Sequence, residues 1–414
     1  MTPQEFSLLL YNATLFPLIF FTVLFLLLTF LNLFLDRKTT AYKPMKSLPF
    51  VSVQVPTFND PIAARCIEHC LAFDYPPDRY EVVIVDDSTN PETQALLKGY
   101  AERFPGRVTF VHRDHRDGFK PGALRDAMKV TRGEIISVFD ADWIPQKEFL
   151  KHVVKPFVDP KVAIVQTRQG FYNHETNLIT RFAAYVLMIY HTIVMPINNK
   201  LNCVFFCGTA GAIRRNAFEK VGGWNSGSIT EDSELSVKLL IAGYRNVYLD
   251  LETPSEVPDT FEGYLKQQMR WCYGNVRVFM DNSSNILFGK GLTLMQRFMI
   301  FFLTLGTGIA PLVVFMTLFG FLGWFLGDPS LFQFSDLFTL LSRFLLTGGF
   351  IFMGIVALLK RGRIREFPHF FASAITIGVI LAVANTIALT RAIFDKGLHW
   401  HVTPKIGNVD VLEK

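Results

Sequence analysis

Residues from about Thr14 to Leu35 form an apolar stretch long enough to cross a bilayer core of roughly 30 Å, and three more begin at about Arg297. Between them lies a segment of ordinary globular composition with dispersed charges. The chain must therefore divide its fold between a membrane and water. Its composition agrees: 50% hydrophobic residues and 41 Phe in 414 residues are too apolar for a purely soluble protein and too many for one ordinary domain.

The first stretch reads as an anchor, not a cleaved signal, because no Lys or Arg precedes it. Arg37, Lys38, Lys43 and Lys46 follow it, which puts the globular segment on the cytosolic side. Lys360, Arg361, Arg363 and Arg365 mark a second cytosolic turn. The net charge of +5 sits largely at these edges, so membrane lipids are expected partners and nucleic acid is not. Cys66, Cys70, Cys203, Cys207 and Cys272 lack His at zinc-like spacing and read as reduced thiols.

The globular segment opens with short continuous apolar runs at Phe50–Val55, Tyr80–Val85, Val108–His112 and Glu134–Phe139, alternating with helical patterns. That alternation predicts an α/β fold with a mostly parallel sheet covered on both faces. Such sheets bind ligands at the carboxyl ends of their strands, where Asp86-Asp87 and Asp140-Ala141-Asp142 fall. Farther on come an apolar helix near Arg181–Met195, a glycine-rich region at Cys207–Ile213 and a helix from Glu231 stopped by Gly243. Phe261–Met280 reads as an amphipathic helix lying along the membrane surface.

Asp140 and Asp142 are two residues apart at a strand end, so both carboxylates can face one side. Paired carboxylates without His or Cys suit Mg²⁺ or Mn²⁺ shared with phosphates, although two solvated loop acids would look the same. Asp86-Asp87-Ser88 is either a capping turn or a contact to a nucleotide. Thr230-Glu231-Asp232 reads locally as a helix cap, with Asp232 as general base the functional alternative. Gln267, Arg270 and Trp271 share one helix face, where Arg can pair with phosphate and Trp can stack on a sugar. An interfacial Trp-Arg belt would leave the Gln unexplained. Gly118–Arg125 is a glycine loop whose backbone amides and Lys120 could hold a diphosphate.

With these motifs in order, followed by Trp400-His401-Val402-Thr403-Pro404-Lys405, the chain resembles the family 2 inverting glycosyltransferases, above all the cellulose synthase and cellulose-synthase-like (mannan and glucan synthase) group. The resemblance runs from Val51 to Lys405 and takes in Gln166-Thr167-Arg168, Phe205–Gly211 and Gly222-Gly223-Trp224. It implies a GT-A nucleotide-sugar-binding domain joined to transmembrane and interfacial helices. Thr57, Asp86, Asp87, Lys120, Asp140, Gln267, Arg270, Thr403 and Lys405 would then contact the donor. Asp140 and Asp142 would hold the metal, Asp232 would be the base, and Cys207, Gly208, Glu231 and Trp271 would meet the acceptor. The Trp400–Lys405 stretch resembles the gating loop of cellulose synthases, with Trp in place of the usual Phe.

The expected layout is an anchor and basic linker over 1–46, a catalytic domain over 47–260 and interfacial helices over 261–296. Membrane helices over 297–394 and a gating-like loop and tail over 395–414 follow. Two features depart from the cellulose synthase pattern. The sequence ends nine residues past Lys405, so one copy is expected to be too small to enclose a polymer channel. Three full C-terminal crossings would also put Lys405 on the wrong side, so the stretch at His369–Phe394 is expected to be interfacial or re-entrant. The leading reading is transfer of a hexose, with UDP-hexose favoured over GDP-hexose, onto a growing β-linked glycan. The alternative is a lipid glucosyltransferase with a diacylglycerol, ceramide-like or polyprenyl acceptor. A third class, an idle scaffold or small transporter, needs intramembrane charge, and only Asp336, Arg343 and Arg391 approach the spans. The oligomeric state is open.

Overall fold

The computed structural model describes residues 1–34, 42–327 and 348–397. The first helix, α1 (Pro3–Leu33), starts well before the apolar stretch alone suggests. Thr2 and Glu5 form a capping box around Pro3, which satisfies the first orphan amides and extends the helix toward the terminus.

The globular segment alternates strands and helices: β1 (Val51–Thr57), α2 (Ala63–Leu71), β2 (Tyr80–Asp86), α3 (Pro91–Arg103), β3 (Val108–His112), α4 (Phe119–Ala127), β4 (Ile135–Val138) and α5 (Phe149–Val153). Then come β5 (Val162–Phe171), α6 (Leu178–Ile189), α7 (Met195–Lys200), β6 (Gly211–Arg214), α8 (Arg215–Lys220), α9 (Glu231–Ile241) and β7 (Arg245–Ser255). One seven-stranded sheet results, in the order β3-β2-β1-β4-β6-β5-β7. Only β6 runs against its neighbours β4 and β5, which makes the sheet mixed but mostly parallel. Cys66, Ile67 and Leu97 cover one face, and Leu124, Phe218 and Leu235 the other, so the apolar runs are buried from both sides. Strand order reverses between β1 and β4, and the crevice at that switch point opens at the strand carboxyl ends.

The apolar helix expected near Arg181–Met195 runs through α6, a π turn at Tyr190–Val194 and α7. Leu178–Lys200 is long and apolar enough to cross a membrane, yet 61% of its apolar window is buried inside the protein. It serves as a core helix. The π turn leaves backbone carbonyls unspent, and Asn32 at the end of α1 donates to those of Thr192 and Ile193, both at 3.1 Å.

Four helices follow: α10 (Phe261–Phe288), α11 (Leu294–Leu305), α12 (Ile309–Phe325) and α13 (Gly349–Lys360), then α14 (Phe367–Ile393) completes the described chain. Besides Leu178–Lys200, the stretches Pro3–Leu33, Leu294–Phe325 and Ile364–Ile393 are long and apolar enough to cross a membrane. Their outer faces expose Phe16, Phe20, Leu318, Phe321, Ile375 and Val383, a belt that fits lipid contact. The third C-terminal stretch is one unbroken helix, without the interruption that a re-entrant segment requires. It lies alongside α10 in the same direction. Ile377 packs with Tyr264, Asn385 O lies 3.4 Å from Cys272 Sγ, and Ala392 O accepts from Arg277 at 3.4 Å. Residues 331–347 of the middle stretch, including Asp336 and Arg343, fall outside the described residues.

Candidate active site

β1 ends at Thr57 and β2 at Asp86, side by side in the sheet. Thr57 Oγ1 donates to Asp86 Oδ1 at 2.8 Å, the Ser88 amide donates to the same oxygen at 3.2 Å, and His112 Nδ1 lies 2.9 Å from Oδ2. Asp86 is fully buried. Asp87 is held by a two-pronged ion pair: Arg113 Nε and Nη2 each donate to a carboxylate oxygen at 2.6 Å. Arg113 also reaches Asp126 at 3.1 Å. Burial works against the Arg113 charge, but Asp87 and Asp126 outweigh it and hold its pKa above the usual value. Thr57, Asp86 and Asp87 therefore form one rigid cluster at the β1–β2 end.

A second group gathers around the end of β4, where a cleft of about 700 Å³, part of it open to solvent, is lined by Asp140 and Asp142. The Asp140 amide donates to Thr209 Oγ1 at 3.0 Å, leaving its carboxylate partly exposed and 2.6 Å from Lys120 Nζ. Asp142 is 2% exposed, and its Oδ2 accepts from the Glu256 amide at 3.1 Å. Lys120 sits in the first turn of α4 behind Gly118 and Phe119, both at positive φ (69° and 47°). Its ammonium also donates to Gly208 O at 2.9 Å. Burial lowers the Lys120 pKa, but the carboxylates of Asp140 and Glu231 outweigh that and raise it.

Thr230, Glu231 and Asp232 open α9 on the far wall. The local reading made Thr230 a side-chain cap. It stands at that position but makes no capping bond, and its buried hydroxyl has no partner among the described residues. Asp232 Oδ1 instead accepts from the Ser233 amide at 2.8 Å. Burial and then the neighbouring Asp232 push Glu231 up to about 7. Burial raises Asp232 as well, against the Ser233 amide and Lys120, which lower it. Gly208, at φ +76°, is pressed against both partners: a Cβ there would lie 2.9 Å from Asp232 Oδ2 and 3.5 Å from Lys120 Nζ. Only glycine allows that approach without strain. The Cys207 amide beside it is fixed by Gln166 Oε1 at 2.8 Å.

Gln267, Arg270 and Trp271 line the same cleft from α10, as their helical spacing predicts. Burial lowers the Arg270 pKa, opposed by Glu231, Asp232 and Asp140. The fold thus brings Lys120, Asp140, Asp142, Cys207, Gly208, Glu231, Asp232, Gln267, Arg270 and Trp271 around one space. Thr57, Asp86 and Asp87 are not among the residues lining it. Thr403, Lys405 and Trp400 lie outside the described residues.

No group of three or more His, Cys, Asp or Glu arranged to hold a metal occurs among the described residues. Asp140 and Asp142 alone would supply two carboxylates. That suits a hard cation such as Mg²⁺ or Mn²⁺, which completes its shell with phosphate oxygens and water, and does not suit zinc.

Residues 49–274 match the family described as glycosyltransferase like family 2. The chain belongs to that family. Glucomannan 4-beta-mannosyltransferase 9 of Arabidopsis thaliana is 32% identical over 279 residues, 63% of this chain and 52% of that protein. Probable glucomannan 4-beta-mannosyltransferase 7 of Oryza sativa subsp. japonica is 33% identical over 279 residues, covering 64% and 47%. The chain spans about half the length of the curated relatives it matches. Its fold is shared with a mannosyltransferase from Pyrobaculum calidifontis, solved in complex with GDP-Man and Mn2+. The TM-score is 0.68 at 20% identity, over 96% of this chain and 100% of that one.

The sequence reading missed Arg113, the partner of Asp87. The available signal was His112-Arg113 closing a strand beside the one that Asp86-Asp87 closes. It also missed the wall formed by Trp143 after β4, by Gln169 and Phe171 at the end of β5, and by Glu256 and Pro258 after β7.

Proposed function

We propose that this glycosyltransferase moves a hexosyl unit from a nucleoside-diphosphate sugar onto a hydroxyl of a β-linked glycan with inversion. The observation that carries the reading is the single cleft shared by Asp140, Asp142, Lys120, Asp232, Arg270 and Trp271. Asp140 and Asp142 would hold Mg²⁺ or Mn²⁺, which when bound neutralises charge growing on the leaving diphosphate. Lys120, Gln267 and Arg270 bind and orient that diphosphate, with Arg270 able to pair with two oxygens at once. Asp232 takes the acceptor hydroxyl's proton at its carboxylate as that oxygen attacks. Trp271 offers the acceptor sugar a flat apolar face. Thr57, Asp86 and Asp87 hold the nucleoside side of the crevice, with Arg113 fixing Asp87.

For the donor we place GDP-mannose ahead of the UDP-hexose favoured by the sequence. The relatives are named mannosyltransferases, and the structural neighbour was solved with GDP-Man. For topology we place the catalytic domain on the cytosolic side. Lys360 Nζ donates to Asn32 O at 2.6 Å, and Arg361 pairs with Asp250 of β7 at 3.0 Å. The basic flank at the end of α13 thereby meets the end of α1 and the catalytic domain together, as the positive-inside rule asks.

The test is purified chain with Mn²⁺, a panel of labelled nucleotide sugars, and glycan and lipid acceptors. Label from GDP-mannose entering an oligosaccharide or insoluble glycan is the expected result. Label found only in an organic-extractable lipid would instead establish the lipid-acceptor reading.

The Glu231–Asp232 pair also sets a pH dependence. The base must be deprotonated, and burial raises Asp232, so transfer should rise as pH climbs above the ordinary carboxylate range. Two neighbouring acids titrate as a pair, and Glu231→Gln should move the midpoint of kcat/KM downward. An unchanged midpoint in that variant would remove Glu231 from the coupling. The stability sign is opposite. Carboxylates raised by burial bind protons more tightly folded than unfolded, so the pair's contribution falls as pH climbs from the ordinary carboxylate range toward 7.

A further inference from the structure

The buried hydroxyl of Thr230, which has no partner among the described residues, packs against the opposite helix. Gly274 of α10 lies so close to it that a Cβ there would fall 2.3 Å from Thr230 Cγ2, 2.5 Å from Oγ1 and 2.9 Å from Cβ. Real side chains do not approach so closely, so the two helices fit together only because position 274 carries none. Gly274 is four residues after Arg270 and three after Trp271, on the same side of α10 that lines the cleft.

α10 has no room to retreat. Behind it, Cys272, Tyr273 and Val276 pack against Ala388 and Ala392 of α14, all nearly or fully buried. Cys272 Sγ contacts Asn385 O at 3.4 Å, and Arg277 reaches both Ala392 O and Asp395. The far end of α9 is seated in a similar way: a Cβ at Gly291, in the turn after α10, would fall 1.9 Å from Ile241 O. α9 is therefore held at its N-cap residue, Thr230, and at its last residue, Ile241, by two glycines of one segment.

We infer that Gly274 is a positioning residue, whose missing side chain seats α10 on the Thr230 turn and so fixes Arg270 and Trp271 relative to Asp232. Glu231 and Asp232 already act on the Arg270 guanidinium across this junction. A methyl group at 274 has to be absorbed by the Thr230 turn, because α14 blocks the other side. A shift of about an ångström between reacting groups costs on the order of a hundredfold in rate. The inference rests on the reading of Asp232 and Arg270 given above, and its test separates the two.

The full chain is compared as wild type, Gly274→Ala, Thr230→Gly and the double variant Thr230→Gly/Gly274→Ala. Two quantities are read: kcat for transfer and amide hydrogen exchange across 229–236 and 264–280. Gly274→Ala should lower kcat at least tenfold and speed exchange in both segments. In the Thr230→Gly background the same alanine should change kcat less than twofold and leave exchange as in Thr230→Gly alone. Equal loss in both backgrounds, or no loss in either, overturns the inference. If Gly274→Ala does not fold, a double variant that folds and turns over supports the seat, and one that also fails overturns it. If the wild type transfers no sugar, the functional reading fails, while the exchange measurement still decides whether Gly274 seats the helix.

Discussion

Asp232→Asn is expected to cut transfer on the order of a thousandfold while donor binding changes less than about threefold. The amide keeps the shape of the carboxylate, so Ser233 can still donate to its oxygen, and the close approach of Gly208 is preserved. What disappears is the ability to accept a proton, and a positioned general base contributes roughly 10²–10⁴-fold. Lys120 loses one carboxylate neighbour but keeps Asp140 at 2.6 Å, so the diphosphate side of the cleft should stay organised. Initial rates at saturating donor, with calorimetry of nucleoside diphosphate and Mn²⁺, separate the two quantities. Turnover near the wild-type rate would remove Asp232 as the base.

The second large effect is on stability and arises away from the cleft. Arg113→Met should destabilise the folded chain by about 3–5 kcal/mol, because it strands the buried Asp87 carboxylate without its partner. The side chains of Arg113 and Asp87 are only 3% and 4% exposed, so solvent cannot replace the pair. A loss of that size should lower the thermal midpoint by roughly 10 °C in a domain this large. The exposed Lys98–Glu102 pair, at 66% and 68% exposure, is the natural control, since breaking it should shift the midpoint little. A matching small shift in Arg113→Met would mean that Asp87 finds another partner or protonates cheaply.

The first half of the domain could be read from sequence because strands buried on both faces leave continuous apolar runs. Val82–Val85 is such a run, with Asp86-Asp87 at its end, while Val51–Val55 keeps its valines at alternate positions around the buried Ser52 and Gln54. β6 and β7 left no such mark. β6 has only four residues, and its antiparallel place is fixed by pairing with β4, Val138 against Gly211. β7 interrupts its buried positions with Asp250 and Glu252, which face Arg168 and Arg361. The Gln267-Arg270-Trp271 face was legible because helical spacing alone determines it. The role of Thr230 was not: it makes no capping bond and instead packs closely against Gly274 of a later helix.

One carboxylate base and one displacement at the sugar carbon imply a single stereochemical result. The direct measurement is proton NMR of the newly formed linkage when the chain uses an α-linked nucleotide sugar. A β-linked product is predicted, since Asp232 as the proposed base would activate the acceptor for attack opposite the leaving diphosphate. An α-linked product would contradict the account, because retention requires a second step for which the cleft has been given no role.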